Sequence, residues 1–233
     1  MADKHRFVCW PLFRFWSDMD RLMPTDELNT LRMELDADFR GSVEQRRQRK
    51  EERIDEILEL LILAYMYGNE AGNDMLFGSD FIESLGFTFG GTKPGAPDQP
   101  NRVIEIDPDS MNEAVFRKIA DKDWRQRVSE YFDSENGTAD DVFRVVDTDT
   151  HRVYNDAILN VGERADTPDS PVKKQWVTML DDRVRDTHEY LEGMTVPVNS
   201  RFYTFDNDSA RFPGDFTLPQ NNINCRCRIY LTR

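Results

Sequence analysis

His188, Cys225 and Cys227 are the residues of this chain whose types could hold a soft metal ion, because thiolate and imidazole are the ligands zinc prefers. A structural zinc takes four such donors, usually from two closely spaced pairs, and one Cys-x-Cys plus one histidine supplies only three. Asp181, Asp186 or a water could complete the shell. With no metal, the two cysteines are reduced and buried near the chain end, and His188 hydrogen-bonds within the fold. Asp181, Asp182 and Asp186 could instead attract magnesium, but Arg183 and Arg185 lie between them and point to a salt-bridged network.

Catalytic patterns are poor. A zinc deaminase needs His-x-Glu and Pro-Cys-x-x-Cys, whereas Glu189 directly follows His188 here and Pro219 lies well before Cys225. A cysteine nucleophile with His188 as base lacks an identifiable oxyanion element. The segment FGGTKPG lacks the Walker spacing, and no GxGxxG occurs. The enzyme alternative is a metal-dependent nuclease or hydrolase built on Asp181, His188, Cys225 and Cys227. A second alternative is a DNA-binding module. Arg46, Arg47, Arg49, Lys50 and Arg53 form the one concentrated positive stretch and could meet DNA or an acidic partner, or else be a solvated helix face paired with Glu44, Glu51 and Glu52.

The whole chain argues against a general affinity for nucleic acid. Its 233 residues carry 30 Lys+Arg against 44 Asp+Glu, a net charge of −14 at pH 7 that repels phosphate over most of the surface. Three cysteines in a chain of this length exclude a disulfide framework. The longest apolar run, residues 57–67, contains Glu59 and is far short of the roughly 20 residues that cross a bilayer. The first residues mix charges and aromatics without the apolar stretch of a signal peptide, so the expectation is a protein made and kept in the cytoplasm, or in something assembled there.

The elements that must position these residues follow from periodicity and punctuation. An aromatic cluster (Phe7, Trp10, Phe13, Phe15, Trp16) precedes a short helix that Thr25 or Asp26 could cap, and residues 1–41 read as an N-terminal arm. Residues 42–167 read as a helical region. It opens with one long helix N-capped by Ser42, with a kink or end at Gly68 or Gly72. A Gly/Pro-rich loop spans 78–101. NRVIEIDP reads as a strand, and an amphipathic helix runs from Asp109 or Ser110 to Phe132. NGT at 136–138 ends that unit, and a further helix follows, broken near Asp147. PDSP at 168–171 then separates a compact C-terminal domain, 168–233, with strands at QWVTML, VPV, RFYTF and RIYL and a helix closed by Gly193. The fold class is α+β, mainly helical in its N-terminal two-thirds.

The pattern KKQWVTMLDDRVRDTHEYLEGMTVPVNSRF, then FPGDF, then NNINCRCRIYL, closely resembles the C-terminal domain of tailed-phage head-morphogenesis proteins, the family typified by protein F of phage Mu. Trp176, Asp181, Arg183, His188, Gly193, Cys225, Arg226 and Cys227 carry the resemblance, and Thr148, Arg152 and Asn155 match further upstream. It implies a structural minor capsid protein of the phage head, in the host cytoplasm during assembly and in the virion afterwards. Its implied partners are portal and/or major capsid protein, with contact to packaged DNA through the basic helix, no membrane and no small-molecule substrate. Some relatives carry a Cys-x-x-Cys pair where this chain has Arg185 and His188, and a histidine where it has Asn222. The resemblance therefore leaves zinc on three residues, or a knot in which Asp181 orients Arg183 or Arg226 and His188 closes the turn.

Overall fold

The structure, a computed structural model, describes residues 23–78 and 103–233. The aromatic cluster and residues 79–101 of the Gly/Pro-rich loop lie outside the described residues. Five helices come first: α1 (Thr25–Asp38), α2 (Val43–Phe77), α3 (Pro108–Val115), α4 (Trp124–Asp133) and α5 (Ala139–Ala165). The C-terminal part follows as β1 (Lys173–Val177), α6 (Asp186–Glu189), β2 (Thr195–Pro197), β3 (Phe202–Tyr203), β4 (Ser209–Ala210), α7 (Pro219–Asn222) and β5 (Arg228–Thr232). The α+β class with its helical N-terminal part is what the chain adopts.

Helix α2 begins where Ser42 caps it. The Ser42 hydroxyl accepts from Gln45 N–H, and the Gln45 side chain returns the bond to Ser42 N–H, a reciprocal pair that satisfies two donors the helix cannot. The helix does not kink or end at Gly68 or Gly72 but runs through both. These glycines let α2 and α5 approach: a Cβ on Gly68 would lie 2.3 Å from the Tyr154 carbonyl oxygen, and one on Gly72 2.9 Å from Val161 Cβ. Close packing against a second helix holds the backbone helical where local propensity alone would weaken it.

Helix α5 is likewise unbroken at Asp147, for the same reason: it is the central element, with Val142, Val146, Val153, Ala157, Ile158 and Val161 all wholly buried. The predicted helix from Asp109 or Ser110 to Phe132 is two. Asp107 caps α3, Asp123 caps α4, and between them Ala120 and Asp121 take left-handed backbone angles in a tight turn. NRVIEIDP forms no strand among its described residues, because Ile104 finds a side chain in place of a ladder. Its N–H donates to Asn73 Oδ1 at 2.7 Å, and its carbonyl accepts from Asn73 Nδ2 at 3.1 Å. Pro24 precedes α1 with no side-chain cap, so neither Thr25 nor Asp26 caps it.

Two cores share the long helices. One joins α1, α3, α4 and the first parts of α2 and α5 around Trp124, Phe132 and Leu61. The other joins the ends of α2 and α5 to the C-terminal sheet around Trp176, Phe202 and Phe212. That sheet is antiparallel in the order β2-β1-β5, with Trp176 opposite Ile229, and β3 pairs with β4 beside it. The predicted helix in DDRVRDTHEYLEG shrinks to the single turn α6, and Gly193 stands beyond it with φ +73°. The C-terminal strands and turns are thus laid on a face that the ends of α2 and α5 provide together.

Candidate metal centre

The C-terminal sheet carries a buried sulfur and nitrogen cluster at one end. Turn α6 delivers His188, the bend at Asn224 delivers Cys225, and the residue before β5 is Cys227. All three are almost wholly buried, and their ligand atoms lie within 4.8 Å of one another. His188 Nδ1 is 3.5 Å from Cys225 Sγ and 3.5 Å from Cys227 Sγ. The ring is held by Phe216, stacked at 5.3 Å, and by Trp176, edge-on at 5.6 Å.

These spacings fit a metal. A tetrahedral zinc with Zn–S near 2.3 Å and Zn–N near 2.0 Å holds sulfur and nitrogen about 3.5 Å apart. The thiols respond to one another as a ligand pair would. Hydrogen bonding from Cys227, with help from His188, holds the Cys225 thiol well below the usual range, while the bond to Cys225 and burial push Cys227 up. Two thiols whose sulfurs lie this close hold a single proton between them more readily than they carry two charges, and a divalent cation would displace that proton. One usual support is missing: His188 Nε2 is buried with no hydrogen-bond partner among the described residues, where a ligating histidine commonly donates to an oxygen.

The rest of the motif holds the cluster in place. Arg226 binds Asp181 with two bonds, Nη1 to Oδ2 at 2.9 Å and Nη2 to Oδ1 at 2.7 Å, and this pair keeps the Asp181 carboxyl down at about 2. Arg183 reaches the same carboxylate at 3.5 Å. Asp181 is therefore spent on arginine and does not join the cluster. Arg185 donates to the Ile223 carbonyl. Asn222 clamps Phe216, accepting from its N–H at 3.0 Å and donating to its carbonyl at 2.6 Å, so it fixes the ring that stacks on His188.

Helix α5 supplies the clamps for the cysteine segment. Thr148 Oγ1 accepts from Asn224 N–H at 3.1 Å. Asn155 donates to the Cys227 carbonyl at 3.2 Å and accepts from Ile229 N–H at 3.0 Å. Beneath them Arg152, wholly buried, is bound by Asp149 and the Ala114 carbonyl. Gly214, at φ +100°, covers Arg152 so closely that a Cβ there would meet its Cβ at 2.8 Å. These clamping roles were missed in the sequence. The available signal was the polar run 147–156, which includes Thr148, Asp149, Arg152 and Asn155, set between the apolar ends of a helix that is buried along its length.

The basic stretch of α2 is elsewhere and is committed to the fold. Arg46 is buried and donates to the carbonyls of Phe132, Ser134 and Gly137, closing the C-terminus of α4. Arg53, also buried, pairs with Glu34, Asp38 and Glu56. Arg47 and Lys50 bind Asp133, and Arg49 binds Glu52. A DNA contact through Arg46 or Arg53 would have to break bonds that hold α1, α2 and α4 together, whereas Arg47 and Arg49 are half exposed and Arg49 pairs only within α2.

A groove beside the cluster, lined among others by Tyr67, Phe143, Asp147, His151 and Arg226, has a volume of about 690 Å³. Burial, then Arg228 and Arg226, lower the His151 imidazole from 6.5 to about 3. A histidine kept neutral in the fold but protonated when unfolded makes unfolding take up a proton. Stability is then whole above about pH 6.5 and falls as pH drops toward 3, by up to about 1.4 kcal/mol per pH unit. Urea titrations at pH 7 and pH 5 are expected to show a smaller loss in a His151→Gln variant than in the parent. Equal losses would show that His151 titrates alike in both states.

Comparison with known proteins bears on the segment that builds this centre. The family described as phage Mu protein F like protein matches residues 109–230, more than half of the chain and the whole of the cluster and its clamps. Among curated proteins, the NAD(+)--arginine ADP-ribosyltransferase EFV of Enterococcus faecalis (strain ATCC 700802 / V583) is 38% identical over 56 residues, 24% of this chain and 11% of that protein. The chain thus spans only a small part of that relative's length. No solved structure matches.

Proposed function

This chain belongs to the phage Mu protein F-like family, and from that premise we propose that it is a structural minor capsid protein of a tailed phage, working in head morphogenesis. The family makes it a phage head-related protein. The finer role is a low-copy component that contacts portal and inner capsid as the head assembles in the host cytoplasm and that stays in the virion. The observation that carries this reading is the match across 109–230, which takes in α5, the cysteine segment and the C-terminal strands up to the middle of β5. No helix among the described residues is long and apolar enough to cross a membrane.

The site supports a structural role. His188, Cys225 and Cys227 would hold a zinc ion, and zinc when bound would supply a cross-link between α6 and the start of β5. The rest of the motif orients rather than reacts: Arg226 and Asp181 lock the loop, Asn222 sets Phe216, and Asn155 fastens the cysteine segment to α5. The space against His188 and Cys227 is about 10 Å³, too small for a substrate. The 56 residues shared with the ADP-ribosyltransferase are 11% of it, so its activity is not brought across with them. The enzyme alternative gains nothing from Asp181, which Arg226 holds.

The test is made on the phage. Mass spectrometry of purified heads is expected to find the chain at few copies per particle, and disruption of its gene to give absent or malformed heads. Normal heads formed without the chain would overturn the proposal.

A further inference from the structure

The cluster offers three donors, and among the described residues no fourth His, Cys, Asp or Glu atom joins it. The nearby side chains that could be considered are committed: Asp181 to Arg226, Asn222 to Phe216, Arg185 to the Ile223 carbonyl. Against His188 and Cys227 lies a cavity of about 10 Å³, room for a single water, whose walls include Met179, Arg183, Arg185 and Arg226.

We infer that the fourth position of the metal is supplied from this cavity by a water that exchanges for a small anion, and not by a side chain of the protein. The inference rests on the metal reading of the three residues. Charge favours it. A divalent ion with two thiolates and a neutral imidazole is uncharged, while three arginines line the cavity and Asp181 is the carboxylate that pairs with two of them. A negative fourth ligand would be stabilised there although the chain as a whole carries −14. Size admits one donor atom, so the rest of a larger anion such as azide would extend out of the cavity beside the largely exposed Arg183. Met179 is the competing donor, a thioether that suits softer metals than zinc.

Cobalt(II) replaces zinc with a visible spectrum, so the full chain loaded with one equivalent of cobalt reports its own coordination. Sulfur-to-cobalt charge-transfer bands are expected, with a saturable shift on titration with azide that persists in Met179→Leu while the cobalt content stays constant. Arg183→Ala, a largely exposed residue, is expected to weaken azide binding severalfold. If charge-transfer bands appear but azide leaves the spectrum unchanged, the fourth donor belongs to the protein and the inference falls while the metal reading stands. A spectrum altered by Met179→Leu alone would name that donor. Absence of charge-transfer bands, with no zinc retained either, would remove the metal reading itself.

Discussion

Chelation of zinc-loaded protein is expected to lower its unfolding midpoint by about 10 °C. The size follows from linkage: an ion held about a thousandfold above its dissociation constant adds about 4 kcal/mol, and each kcal/mol moves the midpoint of a chain of this length by about 2–4 °C. The ion would join α6 to β5, two segments separated by β2, β3, β4 and α7, so its loss frees one end of the C-terminal sheet. Cys225→Ser and Cys227→Ser should each abolish the difference between zinc and chelator. In chelator they should cost little, because two sulfurs lying 3.5 Å from one ring nitrogen make only weak hydrogen bonds. Differential scanning calorimetry with and without chelator decides the matter. Identical midpoints would mean that packing and hydrogen bonds alone close the motif.

The second large effect lies one layer below. Asp149→Ala is expected to destabilise the protein by about 3–5 kcal/mol, the range found when one partner of a buried ion pair is removed. Asp149 and Arg152 are both wholly buried, joined at 3.1 and 2.8 Å, and Arg127 reaches the other carboxylate oxygen at 2.7 Å. Without the carboxylate, Arg152 keeps the Ala114 carbonyl as its hydrogen-bond acceptor, and Asp156, which already pairs with Arg117, is the carboxylate left to act on its charge. The double variant Asp149→Leu, Arg152→Met should recover much of the loss, since replacing both charges by apolar groups removes the desolvation cost as well. Urea unfolding of the three proteins separates this from simple cavity formation. A loss below about 1 kcal/mol in the single variant would show that water reaches Arg152.

Both effects depend on residues that were only partly legible in advance. Cys225, Cys227 and His188 stood out by type as possible zinc ligands, but a spacing of 37 residues left open whether His188 meets the cysteines or bonds elsewhere in the fold. The commitment of Asp181 to Arg226 was one of several pairings the charges allowed. Nothing in the order of residues chose it over Arg183 or a metal. Asn222 was noticed only as the absence of a histidine, whereas its contribution is the clamp on Phe216.

What the sequence by itself determined is local: the Ser42 cap and the start of α2, the helical character of α5, the break at 136–138 between α4 and α5, and the strands that place Trp176 and Ile229 in the sheet. These follow from capping chemistry and from side-chain periodicity, which act over a few residues. Only the tertiary structure decided that Gly68 and Gly72 are contact points and not breaks, that Ile104 bonds to Asn73 and not to a strand, and that the basic stretch of α2 closes α4. Each of these outcomes is set by a partner far along the chain. A glycine, an exposed-looking arginine or an extended segment has several local states of similar free energy, and the long-range contact selects among them.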